Sequence, residues 1–149
     1  MVLTHSGGKE REEMQKLPTP IKIDEYAAKR DGSLTRYIEG VARQQRIAFP
    51  GQTSEIAMLV VFFEAGSRNH PHTHEHDQTL LILTGECMVA TETEKYVLFA
   101  GEVITIPANM WHWHGATRDA STCQVSLMIP GTSNFEVDEH NWTTNYHKE

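Results

Sequence analysis

Two cysteines, a shortage of cations and the lack of any long apolar run say first what this chain is not. Cys87 and Cys123 form no CxxC pair and are too few for a disulfide framework, so reduced, partly buried thiols are expected. Lys and Arg number 13 against 20 Asp and Glu, a net charge of −7. Phosphate backbones demand clustered cations, so a nucleic-acid partner is excluded and a small or uncharged substrate is the better expectation. No stretch reaches the roughly 18 apolar residues that a membrane span requires. Met1 to Pro20 is polar, carries Lys9, Glu10, Arg11, Glu12 and Glu13, and lacks the apolar centre of a secretion signal; this predicts a cytoplasmic protein with no membrane partner.

Internal repeats, linkers and low-complexity tracts are missing too, and residues 50 to 130 show no long amphipathic helical pattern. One barrel domain is expected over residues 19–149, behind a flexible or helical arm over residues 1–18. What is present from Ile21 onward is the grammar of short strands. Ile21-Lys22-Ile23 alternates, Ile56 to Phe63 is an apolar, β-rich run, and Thr79 to Leu83 is another. Turn signals follow at Ala65-Gly66-Ser67, Thr84-Gly85-Glu86, Ala100-Gly101-Glu102 and Pro130-Gly131-Thr132. That layout predicts an all-β sandwich or barrel, best accommodated as a double-sheet jelly roll, which hides its edges by closing on itself.

Six of the nine histidines fall in two clusters, His70-Pro71-His72-Thr73-His74-Glu75-His76 and His112-Trp113-His114. Neutral imidazole is the commonest protein ligand for transition metals. On extended backbone His72 and His74 leave one face, as do His112 and His114, while Thr73 and Trp113 point the other way. If both faces line one barrel, three or four imidazoles surround a cavity, and an ion held by a subset of them keeps positions open for water or substrate.

The spacing resembles the two motifs of the cupins. Gly66, His72-Thr73-His74, Gln78 and Gly85 fall at the intervals of the first, with Gln78 where the family usually has Glu. Gly101, Pro107 and His112 follow the second, with Asn109 in place of its usual Gly and Ala116 in place of its usual Asn. The resemblance covers about residues 55 to 130 and implies the cupin double-stranded β-helix, a jelly-roll barrel, with metal ligands His72, His74, Gln78 and His112. Within the cupins the runs His72 to Leu80 and His112 to Ala116 are similar to those of the manganese-dependent bacterial hydroxynitrile lyases. Those lyases use an acid/base histidine on the strand after the second motif. Gln124 occupies that position here, and an amide cannot exchange a proton near neutral pH, so His114 would have to act in its place. Small cupins also pair as homodimers or higher homo-oligomers, for which Ile21 to Tyr26 could supply an exchanged strand.

A neutral Gln78 leaves the charge of a divalent ion less compensated than a carboxylate would, giving a stronger Lewis acid that is more weakly held. Mn, Fe, Ni and Zn all suit an imidazole-rich site. Gln78 is expected either to ligate the ion or to hydrogen-bond a ligand imidazole or water. His114 is expected either to move a proton or orient substrate, or to support its neighbours. Leu59, Val61 and Phe63 are expected to point inward as barrel packing, Trp111 and Trp113 to pack, and His70 and His76 to be solvated; His5, His140 and His147 lie in terminal stretches and carry no argument. Three functions fit: a metal-dependent lyase acting on a small organic molecule, an Fe(II) or other metal-dependent dioxygenase, and a non-catalytic metal- and ligand-binding barrel.

Overall fold

The computed structural model describes residues 17–32, 34–49 and 55–146. The arm expected over residues 1–18 therefore lies almost wholly outside the described residues, as do His5 and His147. Eleven strands follow in order: β1 (Ile38–Glu39), β2 (Ala42–Ala48), β3 (Ala57–Phe63), β4 (Arg68–Asn69), β5 (Thr73–His74), β6 (Gln78–Ala90), β7 (Lys95–Phe99), β8 (Val103–Ile106), β9 (Trp113–Ala116), β10 (Thr122–Met128) and β11 (Ser133–Asn134). Among the described residues the only helical pieces are single 3₁₀ turns at Glu25–Ala27 and Thr35–Tyr37, and no helix is long and apolar enough to cross a membrane.

β6 organises the barrel. Its first half pairs β8 and its second half pairs β7 and β9, while β10 runs along the first half as far as Gly85. The curled sheet runs β1-β4-β9-β6-β10-β3-β2, with β11-β5 as a separate pair. The bend between the halves comes from one extra residue in β6: Gln124 opposes Ile82 but Cys123 opposes Thr84. This bulge moves the inward positions of β6 from Gln78, Leu80 and Ile82 to Cys87 and Val89, which join one core with Leu98 and Ile106. Gly85 sits at the bend with φ +75°, and a Cβ there would fall 1.8 Å from the Ser121 carbonyl oxygen, so no other residue fits.

Alternation on β3 divides the apolar run as expected. Leu59, Val61 and Phe63 face the cavity inside the barrel. Val60 turns outward to pack with Val125 and Cys123 beneath Met58, Phe62, Leu81 and Leu83. Fully burying side chains such as Val60, Leu80 and Ile82 contributes about 1.5–3 kcal/mol each. Both cysteines are free and buried, and Trp113 packs as expected, wholly buried with Met88, Ala90, Trp142 and Tyr146.

The strand expected at Ile21–Ile23 does not form. Gln45 captures this segment with its side chain, accepting from the Asp24 amide at 2.9 Å and donating to the Lys22 carbonyl at 2.8 Å. Asp24 then caps the turn at Glu25–Ala27 by accepting the Tyr26 amide proton at 2.9 Å. Side-chain bonds replace a ladder within this chain.

Candidate metal centre

Two backbone hydrogen bonds bring the histidine clusters together: His72 N–H donates to the His112 carbonyl at 3.0 Å, and His112 N–H to that of His72 at 3.1 Å. The approach to His112 turns at Asn109, whose φ is +62° and whose amide donates to the His74 carbonyl at 2.8 Å. That left-handed conformation explains why asparagine can stand where the second cupin motif has glycine: it is the side chain that best tolerates this region.

The ring nitrogens decide what each histidine can do. Nδ1 of His72 lies 2.8 Å from the His70 carbonyl and Nδ1 of His112 lies 2.8 Å from that of Met110. A carbonyl only accepts, so both Nδ1 atoms carry the proton and both Nε2 atoms keep a lone pair. Nδ1 of His74 meets the Ser133 hydroxyl at 2.8 Å, and its Nε2 is buried with no partner at all. A buried ring nitrogen without a hydrogen-bond partner is costly unless something sits against it. One ligand atom from each of His72, His74 and His112 lies within 4.8 Å of the others. Burial pushes all three imidazoles towards the neutral, ligating form, His72 well below the ordinary value and His112 to about 4.

Gln78 lies beside this triad. Its amide donates to the Ser126 hydroxyl at 2.8 Å, and Oε1 lies 3.1 Å from Nε2 of His112. Because the His112 proton is on Nδ1, its Nε2 lone pair is met either by a cation shared with the Gln78 oxygen or by the NH₂ of that amide turned over, with Ser126 then donating to the oxygen. Ligand atoms about 2.1 Å from one ion at right angles stand about 3 Å apart, so the spacing fits. Three neutral imidazoles, with an amide at hand beside them, suit one divalent transition-metal ion.

His114 differs. It is buried and its pKa lies well below the ordinary value, mainly through burial and then through His112 and His74. Both ring nitrogens have partners: Nε2 lies 3.0 Å from Nδ2 of Asn69 and Nδ1 lies 2.7 Å from the Gln124 amide. Asn69 Oδ1 accepts the His114 backbone N–H at 2.9 Å. That bond fixes which end of the Asn69 amide is which, so its NH₂ donates to Nε2 and the His114 proton belongs on Nδ1. Gln124 must therefore present its oxygen to Nδ1 and its NH₂ to Cys87, whose sulfur lies 3.0 Å from the other end of that amide.

A cavity of about 170 Å³ opens in front of these groups. Asn69, His72, His74, Gln78, His114, Ser126, Ser133 and Gln44 are the polar groups of its lining, and Leu59, Val61, Phe63, Met128, Tyr37 and Phe135 are among the apolar and aromatic ones. No Lys, Arg, Asp or Glu is among its lining residues. Phe135 stacks on Tyr37 at 4.3 Å and on His72 at 4.6 Å. A wider cleft of about 390 Å³ beside Lys29, Asp31 and Arg46 brings no such ligand set together.

The structure thus gathers all six residues singled out in the sequence, His72, His74, Gln78, His112, His114 and Gln124, around one end of the barrel. His70 and His76 were expected to be solvated, but both are half-buried; His70 packs its ring 4.2 Å from Trp142. Sequence reasoning missed Asn69, Ser126, Ser133 and Phe135. Ser126 was findable, two residues beyond Gln124 on an alternating strand; the other three carry no local signal.

Residues 59–130 match the family model of the cupin domain, and the fold is that of a small cupin. No curated protein sequence matches the chain. Among solved structures it is similar to a cupin-like protein from Thermotoga maritima, with 23% identity, a TM-score of 0.71, and coverage of 83% of this chain and 98% of that one. It is also similar to the polyketide cyclase RemF from Streptomyces resistomycificus, at 14% identity and a TM-score of 0.64, covering 84% and 93% of the two chains. The DMSP lyases RdDddP and RnDddQII give 15% identity and a TM-score of 0.57, covering 64% and 53%. At these identities the likeness shows the shared jelly roll.

Proposed function

We propose, from the premise that this barrel is a cupin jelly roll, that the chain is a metal-dependent enzyme acting on a small uncharged organic molecule, with lyase chemistry of the hydroxynitrile lyase kind. The observation that carries this reading is the convergence of ring nitrogens from His72, His74 and His112, with the Gln78 amide against His112, beside a cavity lined by no charged side chain. A divalent ion bound there supplies Lewis-acid stabilisation to an oxygen that gains negative charge. Leu59, Val61, Phe63 and Phe135 take the apolar part of the molecule, and an apolar cavity of about 150 Å³ holds a ring the size of benzene. No charged side chain lines the cavity, so the ion would be the one charge a substrate meets there.

His114 is the group placed to move a proton. Its Nε2 lone pair faces Asn69 in the cavity wall, and a substrate hydroxyl can take the place of the Asn69 donor. In cyanohydrin cleavage the hydroxyl proton passes to Nε2, the bond to the nitrile carbon breaks as the carbonyl forms, and the departing cyanide takes the proton back from His114. Gln124 accepts the Nδ1 proton's hydrogen bond throughout and stabilises the imidazolium that forms between the two transfers.

A second reading, a barrel that binds metal and ligand without turnover, is favoured by one observation: Asn69 already occupies the His114 lone pair. The test is a Co(II)-loaded sample offered an aromatic cyanohydrin and a diketone. A visible-spectrum change with carbonyl release that is lost in His114→Gln supports the enzyme. A spectral change with no product supports the binder, and a silent spectrum sinks both.

A further inference from the structure

Residues 139–146 follow the last strand and lie beyond the matched cupin domain, yet they close over the outer face of β6 and β9. Asn141 donates to the Glu92 carbonyl at 2.9 Å, Asn145 to that of Thr91 at 3.3 Å, and the Tyr146 hydroxyl to that of Ala116. The coil is gripped at its centre by Arg68. That guanidinium, on a side chain only 3% exposed, lies over the rings of Trp142 at 4.0 Å, Tyr146 at 4.2 Å and Trp113 at 4.9 Å. It also donates to the Trp142 carbonyl at 2.8 Å. Cation–π contacts with desolvated guanidinium are the strong ones. Trp142 reaches back from this clasp: its indole N–H donates to the Asn69 carbonyl at 3.2 Å and its ring packs on His70.

Asn69 is where the coil meets the cavity. Its carbonyl is held by Trp142 on the outside of the barrel while its side chain grips His114 on the inside, at both the backbone N–H and Nε2. We infer that the C-terminal coil is part of the site: Trp142 and Arg68 position Asn69, and Asn69 holds His114 as the single tautomer protonated on Nδ1, its Nε2 lone pair facing the cavity. Asn69 and Trp142 are positioning residues, and neither is asked to touch the ion. The consequence for turnover rests on the function proposed above, but the tautomer does not, so the two can fail separately.

The experiment is ¹⁵N NMR of histidine-labelled full chain, recorded stripped of metal and again with zinc added, for wild type, Asn69→Ala and Trp142→Phe. His112 is the internal control, because its tautomer is set by the Met110 carbonyl. The wild type should show His114 with one protonated nitrogen, Nδ1, and one accepting nitrogen, Nε2. Asn69→Ala should move both resonances towards the average of two exchanging tautomers. Trp142→Phe keeps a ring over Arg68 and loses only the donor, and it should move them the same way by a smaller amount, with His112 unchanged. A wild-type His114 protonated on Nε2, or an Asn69→Ala spectrum with one fixed tautomer, overturns the role of Asn69. Mixed tautomers in Asn69→Ala beside a wild-type spectrum in Trp142→Phe overturn the role of the coil. Metal content of the same samples reports on the proposed centre independently.

Discussion

His112 and His114 stand two residues apart on one face, both buried, with nearly parallel rings 6.0 Å apart. Their hydrogen bonds give them opposite chemistry. His112 spends Nδ1 on a backbone carbonyl and sets its Nε2 lone pair 3.1 Å from the Gln78 amide, within the group of ring nitrogens it forms with His72 and His74. His114 has an amide at each nitrogen and is left out of the converging set. A buried histidine whose lone pair joins those of its neighbours is a ligand in waiting, and one whose two nitrogens are each held by an amide apart from that group is a fixed polar wall that yields a lone pair only to a competing donor.

The largest effect that sharpens this contrast is on turnover. His114→Gln should lower kcat by roughly 10²–10⁴-fold, the range of general acid–base catalysis, while the bound metal stays. Steady-state kinetics beside metal analysis checks it; loss of metal in this variant breaks the contrast.

Acid acts on both members alike. Burial holds the folded-state pKa of His112 at about 4 against 6.5 for a free imidazole, and that of His114 well below the ordinary value as well. A histidine whose folded value is depressed adds stability that is full above about pH 6.5 and is lost as the pH falls from there towards 4. For His112 the difference amounts to roughly 3 kcal/mol. Urea midpoints of metal-stripped protein should therefore drop between pH 7 and pH 4.5, with a shallower fall in His112→Gln. An equal slope in both proteins counts against a buried neutral His112.

Ser133→Ala removes the hydroxyl that orients His74 and should weaken metal binding about 10–100-fold, the usual cost of losing a group that orients a ligand. Chelator competition measures it, and an unchanged affinity would show that His74 is not held by β11. The smallest expected effect is Gln78→Glu, which adds a carboxylate beside the ion and should tighten binding about 10-fold. Weaker binding would mean that Gln78 serves Ser126 and not the ion.

Much of this contrast could not be read along the chain. β3 and the first half of β6 were visible as apolar runs, because alternation and turn residues are local. His72, His74 and His112 were visible because their spacing is set by extended backbone. His114 was visible as a histidine but not as a different kind, since its partners Asn69 and Gln124 are brought to it by strand pairing. Ile21–Ile23 misled because alternation alone says nothing about a side chain such as Gln45 waiting to take the backbone groups. Ser133, Phe135 and Trp142 are polar or aromatic residues in a stretch without periodicity, and only the closed barrel gives them work.

The central claim, that one histidine set binds an ion while its near neighbour does not, is tested most directly by metal content. Plasma mass spectrometry should be run on protein purified without chelator or a nickel column, for wild type, His112→Ala and His114→Ala. The account predicts about one transition-metal ion per chain in the wild type and in His114→Ala, and a small fraction of that in His112→Ala. A wild type that stays metal-free when offered Mn, Fe, Ni and Zn, or equal loss in the two variants, would contradict it.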